Sequence, residues 1–166
     1  MKSFKIKKVL IIFLSITLFS CWKSNEWSEK ERNDFKKKCA ETKTFKVNPI
    51  CFTGFEFNEV KSIKIIEKNK SESIDTFHIH AQTFRDKHDS IYKQHWADIN
   101  KEFNVSNTYE FYIGKDKPYI LDNMEMIMWA QYTMGGEGWG CEMGNFTIDD
   151  EKFEHTGNIV FKKRNK

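Results

Sequence analysis

The chain is 166 residues long, carries 27 Lys plus Arg against 24 Asp plus Glu for a formal charge of +3, and is 39% apolar and 15% aromatic. That apolar content supplies a packed core and argues against a disordered, collagenous or multi-span membrane chain, while the charge is too mild for a nucleic-acid-binding surface. No repeat with a period of about 20 to 50 residues is present, so a solenoid or propeller array is excluded too.

The positive charge is concentrated at the start, where Lys2, Lys5, Lys7 and Lys8 occur with no acid in the first twenty positions, leaving the remainder one charge below neutral. This basic head precedes an eleven-residue, largely apolar run, Val9 to Phe19, and then Ser20 and Cys21. A membrane-spanning helix needs about 20 apolar residues, so the layout fits a secretory signal peptide better than a permanent span. Its end, Leu18-Phe19-Ser20-Cys21, resembles the lipobox of bacterial lipoproteins: an aliphatic residue three before the cysteine and a small one just before it. The resemblance implies cleavage before Cys21, a diacylglyceryl group on its sulfur and anchorage in the bilayer. One acyl chain binds a membrane marginally and two or three bind stably. No Asp follows Cys21 directly, and Trp22 and Lys23 stand there instead. A common cue for inner-membrane retention is thus missing, which points to the outer membrane.

Residues 1–20 are therefore read as a lipoprotein signal peptide, 21–43 as a tether with a short helix, and 44–166 as one folded domain. Ser28 and Glu31 have the spacing of a capping box, and Trp27, Phe35 and Cys39 fall near one face of the helix that follows. From about Thr44, runs rich in β-branched and aromatic residues alternate with turn residues. Strands are expected over 50–57, 60–67, 74–83, 108–113, 119–121, 124–134, 145–148 and 158–163, with Phe77, Ile79 and Ala81, and likewise Tyr109, Phe111 and Ile113, facing inward. Between 86 and 103, Tyr92, Trp96, Ile99 and Phe103 fall at i, i+4, i+7 and i+11, which predicts one inserted helix or, alternatively, an irregular connection. The sum is an all-β fold, a small antiparallel sandwich of seven or eight strands. It loosely resembles the small β-sandwich portions of other envelope lipoproteins.

With Cys21 assigned to lipid, Cys39, Cys51 and Cys141 remain for an oxidising compartment. Cys51 with Cys141 is the favoured staple and Cys39 with Cys51 its competitor. The segment from Met134 to Gly144 holds five of the eight glycines and lacks both a phosphate-loop Lys-Ser/Thr and a nucleophile-elbow serine. It is expected to present Trp139 between Glu137 and Glu142, either as a recognition element for an envelope protein or glycan or tucked beneath the disulfide. Two further patterns suit a soft metal such as copper: His78 and His80 on one strand face, and the row Met124, Met126, Met128. Their bland alternatives are a solvated strand surface and a core filled by adaptable thioethers. Asp122 and the Asp149-Asp150 pair read as turn residues, and no motif places carboxylates for catalysis. The expectation is a membrane-anchored, non-catalytic binding or structural module. A copper-binding envelope protein and a toxin-neutralising immunity-type lipoprotein are the alternatives.

Overall fold

The computed structural model describes residues 27–133, 136–154 and 158–164, and of residues 132, 133, 136 and 137 the backbone only. The lipobox and Cys21, Met134 and His155 lie outside the described residues, as does the side chain of Glu137. The fold is all-β and sandwich-like. Thirteen strands and three short helices are described, more strands than the seven or eight expected. Seven strands that the sequence reading placed hold close to their expected positions: β3 (Ile63–Asn69), β4 (Glu72–Ile79), β7 (Thr108–Tyr112), β8 (Tyr119–Asp122), β9 (Met126–Thr133), β11 (Asn145–Ile148) and β13 (Val160–Lys162).

The largest sheet has the order β12-β11-β8-β7-β3-β4, with β12 spanning Glu151–Glu154, and is antiparallel throughout. Its inward face follows from alternation: Ile63, Ile65 and Glu67 of β3 are buried, as are Tyr109 and Phe111 of β7, and Ile65 stands opposite Phe111. Across the core lies a three-stranded sheet, β13 (Val160–Lys162), β2 (Ile50–Thr53) and β5 (Gln94–Ala97). Here β13 runs parallel to β2, so the sandwich is not purely antiparallel. Aromatic rings join the two layers. Phe161 of β13 lies 4.5 Å from Phe111 of β7 and 5.6 Å from both Phe52 of β2 and Tyr119 of β8. A ribbon of β1 (Thr44–Lys46) and β6 (Glu102–Asn104) closes one side, where Phe103 stacks on Tyr109 at 3.9 Å.

The expected 50–57 strand stops at Thr53, because Gly54 turns the chain with φ +81° into a short helix, α2 (Phe57–Val60). The helical period over 86–103 is also corrected. Only α3 (Lys87–Tyr92) is helical, and Lys93, in the left-handed region at φ +48°, ends it. Beyond it β5 pairs with β2 and buries alternate residues His95 and Ala97, so Trp96, Ile99 and Phe103 never share a helix face. The first helix forms as expected: α1 (Glu29–Ala40) has Ser28 accepting from the Glu31 N–H while the Glu31 carboxylate accepts from the Ser28 N–H at 2.8 Å. No helix among the described residues is long and apolar enough to cross a membrane.

Glu67 is an ionised group drawn into the core. Glu67 is 6% exposed, accepts from Asn107 Nδ2 at 2.6 Å and from the Tyr109 hydroxyl at 2.9 Å, and pairs with Lys101, which also reaches Asp75. Burial pushes the Glu67 carboxyl up, but the bonds from Lys101, Asn107 and Tyr109 outweigh it and hold it below its ordinary 4.5. The unfolded chain therefore takes up this proton more readily than the folded one. The contribution to stability is whole above about pH 4.5 and is lost as the pH falls through the lower folded value. Urea midpoints measured from pH 7 to pH 3 are expected to fall on the acid side, and Glu67→Gln to flatten that limb. An unchanged slope in the variant would show that the network does not hold the carboxylate charged.

Candidate functional site

The glycine-rich segment is a strand rather than a loop. β10 (Gly136–Met143) pairs with β9 along all eight residues, from Gly136 opposite Thr133 to Met143 opposite Met126. The two make a sheet of their own, apart from the sandwich sheets. Directly opposed residues share a face, so the hairpin has two distinct sides. Met126, Met128 and Ala130 with Met143, Cys141 and Trp139 form one, and Ile127, Trp129 and Gln131 with Glu142, Gly140 and Gly138 form the other.

The first side is covered by α1. Cys141 is bonded to Cys39, which is fully buried near the end of α1, and the two Cα atoms are 5.2 Å apart. The favoured Cys51–Cys141 pairing is therefore incorrect, and so is the Cys39–Cys51 competitor. Cys51 sits in β2 opposite Trp96, 1% exposed, with its thiol 3.6 Å from Thr53 Oγ1 and pushed above its usual pKa by burial. Trp139 faces the same helix, with the Arg32 guanidinium 5.6 Å from its ring centre and its Nε1 shut off from solvent. Trp139 is thus half-buried and turned toward α1. Glu142 is on the opposite side, where Gln131 Nε2 lies 3.4 Å from its Oε1, so Trp139 and Glu142 do not form one recognition surface.

The second side carries what the sequence reading missed. Trp129 is 43% exposed and stands opposite Gly140. The missing side chains beside it leave room for long neighbours to lie flat: a Cβ on Gly140 would come within 2.4 Å of Gln131 Nε2, and one on Gly144 within 2.5 Å of Ile127 Cγ2. The signal was present in the sequence. Gly136, Gly138 and Gly140 alternate with Glu137, Trp139 and Cys141, which is the period of a strand.

The copper candidates are not brought together. His78 and His80 are exposed, His78 in the edge strand β4 and His80 just beyond it, with His80 Nδ1 3.0 Å from the Lys61 carbonyl. Met124 and Met126 are buried in the core and Met128 is half-buried, at and beyond the start of β9. Asp86, His88 and Asp89 do place ligand atoms within 4.8 Å of one another. Their carboxylates already serve the fold, however. Asp86 caps the Asp89 N–H at 2.9 Å, and Asp89 accepts from Arg85 N and Nε at 3.1 Å and from Trp96 Nε1 at 3.3 Å. Burial raises the Asp89 carboxyl, but these bonds overcome it and keep it charged beside a guanidinium, an arrangement that opposes a second cation. Asp149 and Asp150 occupy the expected turn, both with positive φ, and Asp149 accepts from the Ile120 N–H at 3.0 Å. No protein-family model, curated protein or solved structure matches this chain.

Proposed function

We propose that this protein is a lipid-anchored lipoprotein of the bacterial cell envelope, held at the outer membrane through acylated Cys21, whose β domain is a non-catalytic binding module. The observation that carries the reading is the β9–β10 hairpin. It stands apart from the sandwich sheets, is fixed by α1 and the Cys39–Cys141 bond, and turns Trp129 outward at 43% exposure. A large aromatic on a rigid strand binds with little loss of conformational freedom, which is why Trp is enriched at the centres of protein contacts. The partner is an envelope protein or glycan. The Leu18-Phe19-Ser20-Cys21 run supports the anchor, because an N-terminal lipid would hold the folded domain at the membrane surface.

Growth of expressing cells on an alkyne fatty acid tests the anchor. The wild-type protein is expected to take up label and to sediment with membranes. Cys21→Ala is expected to lose the label and leave the membrane fraction, and equal labelling of the two would overturn the anchor.

A further inference from the structure

Beside the hairpin, β1 and β10 line one cleft of about 350 Å³. Among the described residues each belongs to a two-stranded sheet, so one edge of each has no described partner strand. Every residue from Thr44 to Asn48 and from Cys141 to Met143 contributes to its wall. Successive side chains of a strand point to opposite faces, so a cavity touched by consecutive residues is meeting the strand's backbone edge.

Hydrogen-bond alternation identifies the groups that open into it. In antiparallel pairs, bonded and non-bonded positions alternate along the ladder. The Val105 N–H donates to the Lys43 carbonyl at 2.9 Å, which makes Phe45 opposite Phe103 the next bonded pair. The N–H and C=O of Thr44 and Lys46 are thereby turned away from β6. The Gly144 N–H donates to the Glu125 carbonyl at 2.7 Å, so by the same count Glu142 bonds Ile127, and the backbone groups of Cys141 and Met143 point away from β9. Among the described residues the cleft thus presents two short ladders of donors and acceptors that β6 and β9 do not use, above an apolar floor of Phe45, Val47, Met126, Met143 and Ile159. The disulfide ties the chain just before β1 to β10 and fixes one end.

We propose that this cleft is a peptide-binding site that takes an extended segment of a partner protein as an inserted strand, bonded on one edge to Thr44 and Lys46 and on the other to Cys141 and Met143. Unpaired strand edges are satisfied by another extended backbone, and a strand spans about 3.3 Å per residue, so β1 offers register for three or four residues. Side chains of the inserted segment alternate, apolar toward the floor and polar outward, with an acid favoured beside exposed Lys46. This rests on the reading of the domain as a binding module and names the form its partner takes.

The test uses the full-length lipoprotein in detergent and a random linear nonapeptide library displayed on phage. Selected peptides, made synthetically, are expected to slow amide exchange of Thr44, Lys46, Cys141 and Met143 at least tenfold. N-methylation of either alternating set of peptide amides is expected to weaken binding at least tenfold, because the two sets serve opposite edges. Thr44→Pro and Lys46→Pro each remove a donor that β6 does not use, so they are expected to keep the wild-type urea midpoint and weaken the peptides at least tenfold. Failure to select peptides, protection confined to other amides, or indifference to N-methylation of one set would overturn the proposal. Cross-linking from the Trp129 face is a separate readout, so the module reading and the cleft can fail independently.

Discussion

Removing the cross-link by the paired substitution Cys39→Ser and Cys141→Ser is expected to lower the free energy of unfolding by about 4 kcal/mol, the range for a native bond closing a loop of about 100 residues. The sequence separation of the two cysteines is 102. The effect is large because the bond constrains nearly the whole β domain in the unfolded chain, and because in the folded state it clamps α1 over the Met and Trp139 side of the hairpin. Cys51→Ala removes a buried thiol that bridges nothing and is expected to cost about 1 kcal/mol, the scale of a small core truncation. Urea denaturation under oxidising conditions separates the two. A loss from the paired substitution no greater than that from Cys51→Ala, or a peptide map linking Cys51, would contradict the observed bond.

Phe161→Ala is expected to destabilise the domain by about 3 to 5 kcal/mol, although only five residues follow it in the sequence. Its ring is fully buried, stacks on Phe52 at 5.6 Å with planes 10° apart, and meets Phe111 and Tyr119 of the opposite sheet. Truncation would open a cavity between the two layers that rigid neighbouring rings cannot fill. The strand is also pinned outside the core, where Lys163 pairs with Glu59 at 2.6 Å and Arg164 with Asp149. A loss below about 1 kcal/mol in a denaturation series would mean that β13 does not dock across β2 as described.

The parts of this fold that were legible in the sequence are those governed by local rules. The Ser28–Glu31 capping box and the alternation of Tyr109, Phe111 and Ile113 are short-range patterns, and the structure reproduces both. The failures arise where a long-range contact decides. Tyr92, Trp96, Ile99 and Phe103 fall at helical spacing, yet pairing of β5 with β2 and of β6 with β1 overrides it. The glycines of β10 weaken strand propensity, and only the long partner β9 restores it, which hid the full eight-residue pairing and the outward place of Trp129. Disulfide pairing followed the same logic. Cys51 looked available by sequence, but its strand lies in the three-stranded sheet of the sandwich while Cys141 lies in the hairpin under α1.

That the hairpin's outer face meets a partner at the envelope is tested most directly by photocross-linking in living cells, with p-benzoylphenylalanine placed at Trp129. Ile74, 53% exposed on edge strand β4, serves as a control position at least as accessible as Trp129. One dominant adduct is expected from position 129, absent from position 74 and lost with Cys21→Ala. Identical adducts from both positions, or none from position 129 in correctly anchored protein, would contradict it.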